Sequence, residues 1–174
     1  LSAATKTVTV TKGSTGNRSY TATWTAYTYT IAFNGNGSTS GSMSNISMAY
    51  GTAKNLTANA FVRTGYTFTG WNTKADGSGT AYSDKALVNS LASSNGATVT
   101  LYAQWKINTY TVKYDANGGT GAPSAQTKTY GTNLTLSSTK PTRTGYTFNG
   151  WNTKADGSGT SYAAGASYTS NAAV

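Results

Sequence analysis

The sequence predicts a mainly β fold built from tandem small sheets, antiparallel or mixed, and three observations carry that prediction. The first is self-similarity: residues 63–82 read RTGYTFTGWNTKADGSGTAY and residues 143–162 read RTGYTFNGWNTKADGSGTSY, differing only at Thr69/Asn149 and Ala81/Ser161. A fixed spacing of this kind marks repeated structural units. The second is alternation of apolar and polar residues with period two, the pattern of a half-buried strand. The third is Gly- and Asn-rich punctuation between the alternating runs.

The elements follow in chain order. Val8 and Val10 alternate, Gly13-Ser14-Thr15-Gly16-Asn17 supplies a turn, and Tyr20, Ala22 and Trp24 alternate back, so a hairpin is expected there. Tyr27, Tyr29, Ile31 and Phe33 share one face of the next strand, with Thr30 and Ala32 on the other. Asn34-Gly35-Asn36-Gly37 follows, and Asn-Gly steps tolerate the positive φ of tight hairpin turns. Residues 83–91 carry one helical signal, since Ser83 is placed to cap, Asp84 lies in the first turn, and Leu87 and Leu91 are four apart. A short helix is thus one alternative for this segment, although 163–168 in the second copy keeps little of its signal. In 99–107 the residues Val99, Leu101, Ala103 and Trp105 alternate against Thr100, Tyr102 and Gln104. Trp105 is expected to face the core and Tyr102 the opposite side, in different states of burial. Tyr110, Val112 and Tyr114 repeat the Tyr29, Ile31, Phe33 face at an offset of 81.

The same offset relates Tyr20-Thr21-Ala22-Thr23-Trp24 to Leu101-Tyr102-Ala103-Gln104-Trp105. The expected organisation is thus the closing hairpin of a preceding repeat over 1–26, a complete repeat over 27–108, and a second repeat over 109–174 that lacks its last strand. The expected core comprises Trp24, Trp71, Trp105, Trp151, Tyr29, Ile31, Phe33, Tyr110, Val112, Tyr114, Val99 and Leu101. Trp71 and Trp151 each follow a glycine, which suits a core anchor on a tight backbone better than a sugar-stacking ring.

Composition narrows the function. The chain of 174 residues has no Cys and no His, and its four acids are all Asp. Disulfides and thiolate metal sites are excluded, and the commonest general base and metal ligand is missing. Asp76, Asp84, Asp115 and Asp156 form no paired motif, Asp76 and Asp156 being one position in two copies. No catalytic activity, cofactor or metal is expected. In the loop Asn72-Thr73-Lys74-Ala75-Asp76-Gly77, a calcium site would need an oxygen ligand where Lys74 stands, and Lys154 repeats the obstacle. The net charge is +9, which attracts anionic partners in general. The basic residues are scattered, however, without the clustered stripe of a nucleic-acid binder. No apolar run approaches the roughly 20 residues that span a bilayer, so neither nucleic acid nor membrane insertion is expected.

These motifs resemble the internalin-type B repeat, also called the Listeria–Bacteroides repeat. The resemblance rests on Tyr110-Thr-Val-Lys-Tyr-Asp-Ala-Asn-Gly-Gly119, Tyr130-Gly-Thr132, Pro141-Thr-Arg-Thr-Gly-Tyr-Thr-Phe-Asn-Gly-Trp151, and Leu101-Tyr-Ala-Gln-Trp105 in the other copy. It covers nearly the whole chain. The first copy departs from it with Phe61 in place of Pro141 and Asn34 in place of Asp115. The resemblance implies a β-grasp-like sheet in an extracellular protein of the bacterial cell surface, with many copies between a head and a wall anchor.

Two functions are expected to compete. One is a structural spacer or fibre whose partners are neighbouring repeats, including head-to-tail self-association. The other is an adhesive module whose loops, with Lys74, Asp76, Lys154 and Asp156, face a glycan or an anionic wall polymer. The strand donor of any self-association would be the segment of Val8, Val10, Tyr20, Ala22 and Trp24, completing an open sheet in a neighbouring chain.

Overall fold

The computed structural model describes residues 8–171. The first seven residues of the 1–26 segment and the last three of the 109–174 segment lie outside the described residues. The fold is mainly β, and the described residues contain no helix.

The first repeat contributes seven strands: β1 (Thr28–Asn34), β2 (Ile46–Ala49), β3 (Lys54–Asn55), β4 (Tyr66–Asn72), β5 (Ala81–Tyr82), β6 (Leu87–Val88) and β7 (Thr98–Ile107). Five form one sheet in the order β2-β1-β7-β4-β5, and β3 pairs with β6. The long β7 sits in the middle, parallel to β1 and antiparallel to β4. Alternation explains the core on one face of this sheet. Tyr29 and Ile31 from β1, Ile46 and Met48 from β2, Trp71 from β4, and Leu101 and Ala103 from β7 are buried, joined by Leu56 and Val88. Trp71, 1% exposed, holds the centre, with the rings of Phe33 at 4.8 Å and Phe68 at 5.0 Å. The glycine before it is required by the backbone. Gly70 sits at φ 142, beside a register shift in β4, and a Cβ there would meet the Tyr82 carbonyl oxygen at 2.8 Å.

The second repeat contributes β8 (Thr109–Val112), β9 (Gln126–Thr129), β10 (Leu134–Thr135), β11 (Trp151–Asn152), β12 (Ser161–Tyr162) and β13 (Ser167–Tyr168). They form three separate pairs, β8-β9, β10-β13 and β11-β12. These match β1-β2, β3-β6 and β4-β5 of the first repeat. No described residue occupies the place of β7. The core is smaller, with Val112, Leu136 and Tyr168 buried, while Tyr114 and Trp151 are half-buried and Tyr110 is half-buried at the β9 edge.

The joint between the repeats has no linker. β7 ends at Ile107 and β8 starts at Thr109. Asn108 between them donates its N–H to the Gly65 carbonyl at 2.9 Å, accepts from the Thr67 hydroxyl at 2.7 Å, and receives the Tyr130 N–H on its carbonyl at 2.9 Å. Gly65, at φ 79, lies directly against the Tyr130 ring, where a Cβ would collide.

Four sequence expectations need correction. Residues 83–91 are not helical. Lys85 has φ 58, the Ala86 carbonyl accepts from Leu56 N at 2.9 Å, and Val88 is buried while Leu87 is exposed. Pairing with β3 at period two overrides the four-residue spacing of the leucines. The N-terminal hairpin does not form: residues 8–27 contain no strand, and Val8, Val10, Tyr20 and Trp24 are exposed, as is Ala22. Trp24, 91% exposed, is therefore not a core residue. An isolated two-stranded hairpin is marginal in water, and β7 already fills the place these residues would take in the first repeat. The Asn34–Gly37 segment is a turn, closed by Ser38 N to the Gly35 carbonyl at 3.0 Å, but it opens a longer connection from β1 to its antiparallel partner β2 and does not close a tight two-residue hairpin. Finally, Trp105 and Tyr102 share the half-buried state. Trp105 lies towards the end of β7, where the core thins, and Tyr102 is flanked on its own face by β1 and β4.

Candidate interaction surfaces

The loops carrying Lys74, Asp76, Lys154 and Asp156 turn their polar groups onto their own backbone. The Asn72 amide oxygen accepts from Lys74 N at 2.9 Å and Gly79 N at 3.0 Å, and its Nδ2 donates to the Gly77 carbonyl at 3.0 Å. Asn152 repeats this arrangement around Lys154, Gly157 and Gly159. Asp76 accepts from Ser78 N, and Asp156 from Ser158 N, each at 2.9 Å. These amide bonds, helped by the serine hydroxyls and for Asp76 by Lys74, hold both carboxyls below their ordinary pKa. Asn72 thus spends its oxygen on the turn. Among the described residues no group of three or more acids could hold a metal ion.

A second repeated feature flanks the turn after the first strand. Arg63 lies 4.0 Å from the centroid of the Tyr66 ring, and Arg143 lies 4.1 Å from that of Tyr146. Asn36 and Asn117 both take positive φ there, and their N–H groups bond the side chains of Asn34 and Asp115. The exchange of Asn34 for Asp115 therefore leaves the turn chemistry intact.

Sequence reasoning reached one feature in outline, as an open sheet, and missed another. The first is a trough of about 520 Å³ in the second repeat, between β8 and the 146–152 segment. Val112, Tyr114, Leu136, Phe148 and Trp151 line it. It occupies the position that β7 takes in the first repeat. The lack of a counterpart to Val99–Trp105 after residue 162 was the signal. The second is Lys128, which is 1% exposed. Its Nζ donates to the Thr129 carbonyl at 2.9 Å and to Asn171 Oδ1 at 3.0 Å, and Asn171 also accepts from Gly131 N at 2.9 Å. Met48 and Leu91 hold these two places in the first repeat. Only a position-by-position comparison at offset 80 exposes this joint change from apolar to polar.

The Listeria-Bacteroides repeat domain, as a family model, matches residues 29–104 and 110–174. A protein of Evansella cellulosilytica named as a Gly-rich membrane protein is 42% identical over 106 residues, covering 59% of this chain and 12% of that protein. A second protein of the same organism, named as a membrane protein, is 44% identical over 73 residues, covering 40% of this chain and 11% of that protein. The chain thus spans a small part of the relatives it matches. No solved structure matches it. Among the described residues no helix is long and apolar enough to cross a membrane.

Proposed function

Since the chain belongs to the Listeria-Bacteroides repeat domain family, we propose that it is a structural spacer segment of an extracellular protein on the bacterial surface. One observation carries this reading, the linker-free joint. With a single residue between β7 and β8, and with Asn108, Gly65 and Tyr130 locked together, one repeat fixes the direction of the next. Such stacking makes a quasi-one-dimensional rod whose length grows with copy number. The exposed loops support the same reading, because the side chains of Asn72 and Asn152 are engaged in holding their own turns. No catalytic step is assigned to the chain.

The competing function is adhesion to a glycan or an anionic wall polymer. A glycan array and a titration with wall polymer, both on the intact chain, separate the two. The spacer reading expects no saturable ligand, and small-angle scattering of tandem duplications should lengthen by a constant increment per added repeat. Saturable binding that is lost on changing Lys74 and Lys154 to Ser would replace the spacer with an adhesin.

A further inference from the structure

We propose that Lys128 and Asn171 act as a matched polar pair that keeps the two repeats from exchanging segments as the chain folds. The inference goes beyond the spacer reading and does not depend on it.

Exchange between like units is a characteristic failure of repeat proteins. Here each repeat packs an early segment, 27–62 or 109–142, against a later one, 63–91 or 143–171. The later segments are close copies, since 63–82 and 143–162 differ only at Thr69/Asn149 and Ala81/Ser161. Their contacts with the early segments are also close copies. Phe33 meets Trp71 at 4.8 Å, and Tyr114 meets Trp151 at 4.7 Å. Asn36 Nδ2 donates to the Ala75 carbonyl at 2.8 Å, and Asn117 Nδ2 donates to the Ala155 carbonyl at 2.9 Å. β3 takes β6 in the register in which β10 takes β13, with Asn55 opposite Leu87 and Thr135 opposite Ser167. None of these contacts distinguishes the right segment from the wrong one. The linker-free joint also holds the two late segments at a high local concentration.

Positions 48 and 91, with their counterparts 128 and 171, do distinguish them. In the second repeat Lys128 is fully buried, and its Nζ donates to Asn171 Oδ1 at 3.0 Å. In the first repeat Met48 is buried and Leu91 packs against the same core. Leu91 N donates to the Tyr29 hydroxyl at 3.2 Å, and Tyr29 stands opposite Met48 across β1 and β2. The anchoring of the late segment differs as well. Gly131 N donates to Asn171 Oδ1 at 2.9 Å, whereas Gly51 N donates to Ser90 Oγ at 3.0 Å.

Exchange of the late segments would set Leu91 beside Lys128 and Asn171 beside Met48. The first contact leaves a buried charge short of its amide partner, which is strongly unfavourable. The second removes Leu91 from the apolar core that it packs against. Val88 and Tyr168, buried at one position of the two late segments, add a difference in size. Penalising the wrong partner is a general way to keep closely related interfaces apart. The polar pair thus serves to specify which segments pair, whatever its effect on stability.

The test exploits the absence of cysteine from the chain. Leu87 and Thr135 are exposed and belong to different repeats, so Leu87→Cys with Thr135→Cys sets two thiols opposite each other where segments have exchanged. Thr135→Cys with Ser167→Cys is the native-pair control, and its disulfide shows that a variant has folded. Each chain is refolded from urea under reducing conditions and then oxidised. In the wild-type background the 87–135 disulfide should stay at background. Lys128→Met with Asn171→Leu makes both repeats apolar at these places and should raise it several-fold, while the 135–167 control persists. Adding Met48→Lys and Leu91→Asn moves the polar pair to the first repeat and should return the disulfide to the wild-type level. The apolar variant decides the matter by itself where the four-position variant gives no control disulfide. Frequent exchange in the wild-type background, or no more exchange in the apolar variant than in the wild type, would overturn the proposal. So would a four-position variant that folds and exchanges as freely as the apolar one.

Discussion

Trp71 is the largest fully buried side chain of the first repeat, and it is buried with a flaw. Its ring is enclosed by Phe33, Phe61 and Phe68, yet its indole N–H is buried without a partner. Trp151 carries the same unpaired group in the second repeat. Removing the ring forfeits the packing, so Trp71→Ala should cost about 3–5 kcal/mol in urea unfolding. Trp71→Phe keeps most of the contact and deletes a buried donor whose desolvation costs about 1–3 kcal/mol, so it should cost clearly less. Equal losses in the two variants would mean that the N–H carries no penalty. The turn carboxylates set a pH dependence at the same scale. Asp76 and Asp156 are held below the ordinary carboxylate pKa in the folded chain, chiefly by the amides of Ser78 and Ser158. Their contribution is complete above that ordinary value, about 4, and is lost as the pH falls through it to the lowered one. Both groups are fully solvent-exposed, so the effect is small. Asp76→Asn with Asp156→Asn should flatten the loss of stability on acidification, and an unchanged acid limb would show that the two turns contribute nothing to it.

Strands, more than residues, show what sequence reading could reach. The alternation of Val99, Leu101, Ala103 and Trp105 identified β7, because one face of that strand meets the core, most fully at Leu101 and Ala103. The same alternation over Tyr20, Ala22 and Trp24 suggested a strand that the chain does not form, since alternation specifies a face without supplying the neighbour it needs. The helix expected over 83–91 failed for the converse reason: a spacing of four was present, but β3 was near enough to pair with Leu87–Val88. Loop chemistry was legible at Gly70, read as a tight backbone before Trp71, whereas the hold of Asn72 on its own turn emerged only from the hydrogen bonds. The trough was legible only as a missing counterpart, and Lys128 was hidden because a lysine in an alternating strand reads as solvent-facing. In β9 it lies on the buried side instead, with Asn171 as its cap. Asn171→Ala leaves a buried ammonium short of one partner and should destabilise the second repeat by about 1–3 kcal/mol. Restoring the first repeat's residues with Lys128→Met and Asn171→Leu together should be neutral or stabilising, as apolar replacements of buried polar pairs often are. A double variant less stable than Asn171→Ala alone would show that the polar pair is better matched to this site than the apolar one.

At the scale of the whole chain, stability depends on how one repeat is held against the next, and the two copies provide an internal control. Gly65 and Gly145 are the same position, with φ 79 and φ 80. Gly65 lies against the Tyr130 ring, while nothing lies within 4 Å of a Cβ at Gly145. An alanine at either place pays the same left-handed backbone strain, about 1–2 kcal/mol, but only at Gly65 must a neighbouring ring also move. Gly65→Ala should therefore be the more destabilising of the two. It should also accelerate amide exchange at Asn108 and Tyr130, whose N–H groups bond Gly65 and Asn108 across the joint. Gly145→Ala should leave those two amides unchanged. If both variants lost the same stability and left the Asn108 and Tyr130 amides equally protected, the Tyr130 ring would not be what fixes one repeat on the next, and the rod would have to derive its stiffness from the β7–β8 connection alone.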